Sequence, residues 1–181
     1  MPTSTETRIP KPRLAHVVLR TKKYQEMQDF WITLLNAEVA HKNDSLCFLR
    51  CDDEHHRIAI ATHAGFDDAS PSSVGLDHIA FTFESFGDLI ATYLRLKAAG
   101  LTPTWTVNHG PTLSMYYADP DGNRAELLID RFRTVEEANA FMASEIFERN
   151  PIGINLDPAD LARRFLAGEP VESLTAYQDQ T

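Results

Sequence analysis

The sequence predicts an α+β protein built from two paired βαβββ modules, followed by a C-terminal helical extension. Three observations carry that expectation. Leu14-Ala15-His16-Val17-Val18-Leu19-Arg20 is echoed later in the chain by Leu76-Asp77-His78-Ile79-Ala80-Phe81-Thr82. Each copy is a short β-branched and aromatic run, and each is followed by helical spacing and then by three strand-like pieces. After Asp130 the strand pattern stops and helical spacing takes over.

Taken in order, residues 1–11 are a polar, proline-bearing arm without an apolar stretch of signal-peptide length. Module 1 spans 12–66. Its helix is marked by Tyr24, Met27, Phe30, Trp31, Leu34 and Leu35 at three- and four-residue steps, and its later strands by 37–40, 45–51 and 57–62. Residues 67–75, rich in Asp, Ser and Pro, form a linker. Module 2 spans 76–132. Ser85 with Asp88 opens its helix, Gly100 closes it, and strands follow at 102–107, 113–117 and 124–129. The extension, 133–181, contains one helix over 134–149 and a second over 158–166 capped by Asp157, and ends in a polar tail.

Composition narrows the function classes. The chain has 181 residues, 43% of them apolar, which is enough to bury a core without disulfides. Its formal net charge of -9 and pI of about 5.2 come without a basic cluster, which argues against nucleic acid and anionic membranes. No apolar run reaches the length of a membrane span. Cys47 and Cys51 read as two reduced thiols, so the cytoplasm is the expected compartment.

Duplication then bears on chemistry. His16 and His78 hold equivalent places in the first strand of each module; if the modules pack with pseudo-two-fold symmetry, both imidazoles can face one cavity. In the last strands, Arg57-Ile58-Ala59-Ile60 corresponds to Arg124-Ala125-Glu126-Leu127. Glu126 is a charge in an otherwise apolar strand, which needs a cation or a hydrogen-bonding partner. Two imidazoles and one carboxylate suit Fe(II), Mn(II) or Zn(II) on one octahedral face. The plainer alternatives are histidines that are ordinary core or surface residues, and a Glu126 ion-paired with Arg124, which shares its face.

The pattern resembles the vicinal oxygen chelate superfamily and, within it, the one-domain type I extradiol catechol dioxygenases. The likeness is carried by Leu14-Ala15-His16-Val17, His56-Arg57-Ile58-Ala59, Gly75-Leu76-Asp77-His78-Ile79-Ala80-Phe81, His109-Gly110 and the run from Tyr116 through Asp119-Pro120-Asp121-Gly122-Asn123 to Glu126. It implies a cupped mixed sheet around a metal site, with Fe(II), or Mn(II) in its place, on His16, His78 and Glu126. It also implies a small aromatic diol and O2 as substrates, extradiol (meta) ring cleavage in aromatic hydrocarbon catabolism, and a homodimer. The implied roles are His56 as general base and acid, Tyr116 (rather than Tyr117) as a hydrogen-bond donor to the bound catecholate, and His109 as an orienting group. His56 is preferred to His55 for its offset from Ala59. Two alternatives keep the fold. One is a metal-dependent isomerase, epimerase or thiol transferase, against which Ala59 removes the natural fourth ligand. The other is a drug-sequestering protein of the bleomycin-resistance type. Phe48, Phe81, Phe83, Trp31 and Trp105 are candidates for either an aromatic pocket or the core.

Overall fold

The structure, a computed structural model, describes residues 10–68, 70 and 74–177. The chain divides into two compact units, Met1–Phe66 and Asp67–Thr181. Among the described residues no helix is long and apolar enough to cross a membrane.

The first unit runs β1 (Val17–Thr21), α1 (Tyr24–Leu35), β2 (Glu38–Lys42), β3 (Leu46–Arg50) and β4 (Ile58–Thr62), with sheet order β1-β4-β3-β2. β1 lies parallel to β4, and the other pairs are antiparallel. Side chains alternate across a strand, so the register separates two faces. Leu19, Cys47, Leu49, Ile58 and Ile60 form the buried face, covered by Met27, Phe30, Trp31 and Leu34 of α1. Val18, Ala59, Phe48 and His41 lie in one row across the opposite face.

The second unit repeats this plan with β5 (His78–Phe83), α2 (Phe86–Ala98), β6 (Trp105–Asn108), β7 (Thr112–Ala118) and β8 (Arg124–Asp130), in the order β5-β8-β7-β6. Leu89, Ile90, Tyr93 and Leu96 cover the helix side of the sheet, where Leu127 and Met115 are buried. The Ser85 hydroxyl accepts from the Asp88 N–H and caps α2. The matching row on the open face is Ala80, Glu126, Tyr116 and Trp105. Ala59 and Glu126 therefore hold the same register position in their respective sheets.

The extension comprises α3 (Val135–Met142), α4 (Glu145–Arg149), β9 (Ile154–Asn155), α5 (Pro158–Leu166) and α6 (Val171–Leu174). Asp157 caps α5 by accepting from the Ala159 N–H, as the sequence predicts. The single helix expected over 134–149 is instead two. The Ser144 hydroxyl donates to the Phe141 carbonyl and accepts from the Phe147 N–H, ending one helix and capping the next. β9, absent from the sequence reading, pairs antiparallel with β6.

The first strands also begin later than expected, at Val17 and His78. Ahead of β1, the Arg57 guanidinium donates to the Leu14 and Ala15 carbonyls at 2.5 and 2.8 Å, holding that backbone by a side chain in place of a strand rung. Cys47 and Cys51 are both free thiols, with Cys51 just past the end of β3.

Candidate active site

In the first unit the structure brings His16 and His56 together. His56 is buried, although it leads out of a polar loop. Its ring stacks on Phe48 at 4.2 Å and on His16 at 4.5 Å, so it is sandwiched between them. His55 Nδ1 lies 2.5 Å from His56 Nδ1, so one of the two nitrogens donates and the other accepts. Burial pushes the His56 imidazole below its ordinary pKa, and the neighbouring His55 and His16 push it the same way. These effects favour the neutral ring, the form in which it accepts a proton.

In the second unit the structure brings His78, Glu126, Tyr116 and His109 together. Glu126 is buried in the middle of β8, and its Oε2 lies 2.9 Å from His78 Nε2. Arg124, the ion-pair partner the sequence allowed for Glu126, turns instead to Asp77, whose carboxylate accepts from its guanidinium. The same Asp77 oxygen lies 2.7 Å from His78 Nδ1. His78 meets the Tyr116 ring edge-on at 5.3 Å. The Tyr116 hydroxyl is 3.1 Å from His109 Nε2. Burial raises the Tyr116 pKa, and the Glu126 charge raises it further. Tyr117 points to the helix side, where its buried hydroxyl has no hydrogen-bond partner among the described residues.

Residues 13–127 match the model of the Glyoxalase/Bleomycin resistance protein/Dioxygenase superfamily. The chain belongs to this superfamily. Within it, its kinship is with the extradiol ring-cleavage dioxygenases. It is 40% identical to biphenyl-2,3-diol 1,2-dioxygenase 2 of Rhodococcus globerulus over 167 residues, which is 92% of this chain and 88% of that one. It is 45% identical to biphenyl-2,3-diol 1,2-dioxygenase 3 of the same organism over 166 residues, covering 91% and 87% of the two chains. In fold it is similar to the crystal structure of lactoylglutathione lyase from Agrobacterium tumefaciens, with a TM-score of 0.54 and 18% identity over 67% of this chain and 96% of that one.

The superfamily's dioxygenase members imply a metal, and the donor set here fits one. A carboxylate only accepts, so Asp77 draws the imidazole hydrogen of His78 to Nδ1. In the neutral form of the ring the Nε2 lone pair is then directed at the Glu126 oxygen. Two lone pairs at 2.9 Å need a proton or a metal cation between them. Among the described residues no group of three or more His, Cys, Asp or Glu side chains stands together as a complete metal cage. The pairings seen are His78 with Glu126, and separately His16 with His56.

The sequence reading missed Asp77 as the group that orients His78. Its position directly before that histidine was the available signal. Phe48 and Trp105, left open between pocket and core, both stack on site rings, Phe48 on His56 and Trp105 on Tyr116 at 4.9 Å. Trp31 is fully buried beneath α1 and belongs to the core.

Proposed function

We propose that this extradiol dioxygenase opens a catechol-type ring beside its two hydroxyls, using O2 and an Fe(II) held by His16, His78 and Glu126, with Mn(II) as the substitute ion. The observation that carries the reading is the buried Glu126 carboxylate set against His78 Nε2, with Arg124 turned away to Asp77. When bound, the ion supplies a Lewis-acid centre where diol and O2 meet, a proximity worth roughly 7–11 kcal/mol.

The chain's own residues do the rest. His56, whose burial favours the neutral ring, takes a catechol proton as general base and returns it later as general acid. Tyr116 hydrogen-bonds the catecholate oxygen, and its raised pKa keeps it in the donor form. His109, hydrogen-bonded to the Tyr116 hydroxyl, orients that contact. The substrate expected is an aryl-substituted catechol, such as the biphenyl-2,3-diol in the two relatives' names, bound beside the stacked Trp105 and Tyr116 rings. Ala59, at the position equivalent to Glu126, counts against a four-ligand isomerase.

The domain plan read from the sequence belongs to the same proposal: arm 1–11, modules 12–66 and 76–132 around linker 67–75, and extension 133–181. So do a homodimeric state and a cytoplasmic location. The deciding experiment is anaerobic purification with metal analysis, followed by an aerobic assay with Fe(II) on mono- and bicyclic catechols. Bound iron and a yellow ring-opened product are expected. A bound metal other than iron or manganese, or no product from any catechol, rejects the reading.

A further inference from the structure

The C-terminal extension returns to the site through six residues, 150–155. Ile152 and Gly153 pass the β6–β7 turn, and Ile154 and Asn155 then pair with β6 as β9. Gly153 lies so close that a Cβ there would stand 2.2 Å from the Asn108 carbonyl oxygen and 2.8 Å from His109 Cα. Its φ of +104° is one that L side chains rarely adopt. The Asn150 side chain braces the turn from both ends, donating to the Gly153 carbonyl at 2.9 Å and accepting from the Gly153 N–H at 3.0 Å. The Tyr177 hydroxyl donates to the Asn150 carbonyl, and Asn108 donates to the Thr175 carbonyl.

Two side chains of the site are gripped by this segment. The Ile152 carbonyl lies 2.6 Å from His109 Nδ1. The Asn155 Oδ1 accepts from the Trp105 indole N–H at 2.7 Å. Trp105 in turn stacks on Tyr116 and meets His109 edge-on at 5.5 Å.

We propose that segment 150–155 is a positioning clamp on the catalytic site, its Ile152 carbonyl holding His109 in the Nδ1–H tautomer and its Asn155 holding the Trp105 indole against Tyr116. A carbonyl oxygen only accepts, so the hydrogen of a neutral His109 ring sits on Nδ1. The opposite tautomer sets two lone pairs against each other at 2.6 Å. With Nδ1 protonated, Nε2 is an acceptor, and it takes the single phenolic hydrogen of Tyr116 at 3.1 Å. That hydrogen is then aimed away from Glu126, which leaves the carboxylate oxygen free for a cation. That arrangement belongs to the substrate-free site, and on binding the same hydrogen turns from His109 to the catecholate oxygen. Ile152, Gly153 and Asn155 are positioning residues that act through His109 and Trp105. The clamp rests on these contacts alone, while its bearing on turnover rests on the ring-cleavage reading.

The test begins with 15N-histidine NMR of the full chain before iron is added, at about pH 8.5, two units above the ordinary histidine pKa. His109 is expected to give the Nδ1–H pattern, and an Nε2–H pattern overturns the clamp. Gly153→Ala should erase that preference and lower kcat about 10- to 100-fold with a smaller change in KM. An unchanged tautomer with unchanged kcat overturns the clamp as well. Should Gly153→Ala fail to fold, Asn155→Leu serves. It should shift the Trp105 indole N–H signal and lower kcat, and Asn155→Asp, which keeps the acceptor, should restore both. Full turnover in Asn155→Leu removes Asn155 from the clamp. An Nδ1–H pattern in a protein that turns over no catechol supports the clamp and counts against ring cleavage alone.

Discussion

At the scale of single residues, the site is a study in what one register position is given to hold. The row Val18, Ala59, Phe48, His41 in one sheet matches Ala80, Glu126, Tyr116, Trp105 in the other. Where the first unit has a methyl and a phenyl group, the second has a carboxylate and a phenol. There Glu126 faces His78, which Asp77 orients. Asp77→Asn weakens that orientation, and metal affinity is expected to fall about 10- to 100-fold, measured by competition with a chelator. On the other side, His56→Phe keeps an aromatic ring between His16 and Phe48 but removes the proton acceptor. Bound iron should be retained while kcat drops on the order of 10²- to 10⁴-fold. Undiminished turnover with iron in place would remove His56 from its assigned role. Glu126 was legible in the sequence because a lone charge interrupts an apolar strand. Asp77 was less so, since a carboxylate beside a histidine is common on any surface. The Ile152 carbonyl was invisible, because a main-chain atom has no signature in residue identity.

At the scale of elements, local chemistry set most boundaries. Helix α2 starts at Ser85, whose hydroxyl accepts from the Asp88 N–H. Ser85→Ala leaves that N–H without its side-chain acceptor, and stability should fall by about 1 kcal/mol, read as a lower urea midpoint at unchanged slope. The βαβββ order appears twice because hydrophobic period changes from two to 3.6 and back at each copy. Its first strands came out shorter than their apolar runs: Leu14 and Leu76 are exposed, and rungs begin only at Val17 and His78. The long helix expected across 134–149 failed at Ser144, where a hydroxyl competes for backbone partners that periodicity does not weigh. β9 was missed for its length. Two residues show no alternation, and what makes them a strand is the edge of β6 beside them.

For the whole molecule, the proposed ligands draw on both halves of the chain, so metal binding is coupled to folding. Iron held at about 100 times its Kd should add about 2.7 kcal/mol of stability. Chelation is expected to lower Tm correspondingly, and His16→Ala, measured with and without iron, should abolish the difference. A metal-independent Tm would count against the three-ligand site. The strand order has a further consequence for how the protein is made. In each sheet the first strand has one neighbour, and that neighbour is the last strand of its copy, so β1 waits for β4 and β5 waits for β8. A nascent chain leaving the ribosome therefore carries an unmatched apolar ribbon until the copy is complete. Each copy closes like a ring-bound file whose first sheet is clipped only when the final one arrives. Such closure over long sequence separations is slow. Ribosome pauses placed just before residue 62 or residue 130 are thus the moments at which this chain is most exposed to mispairing.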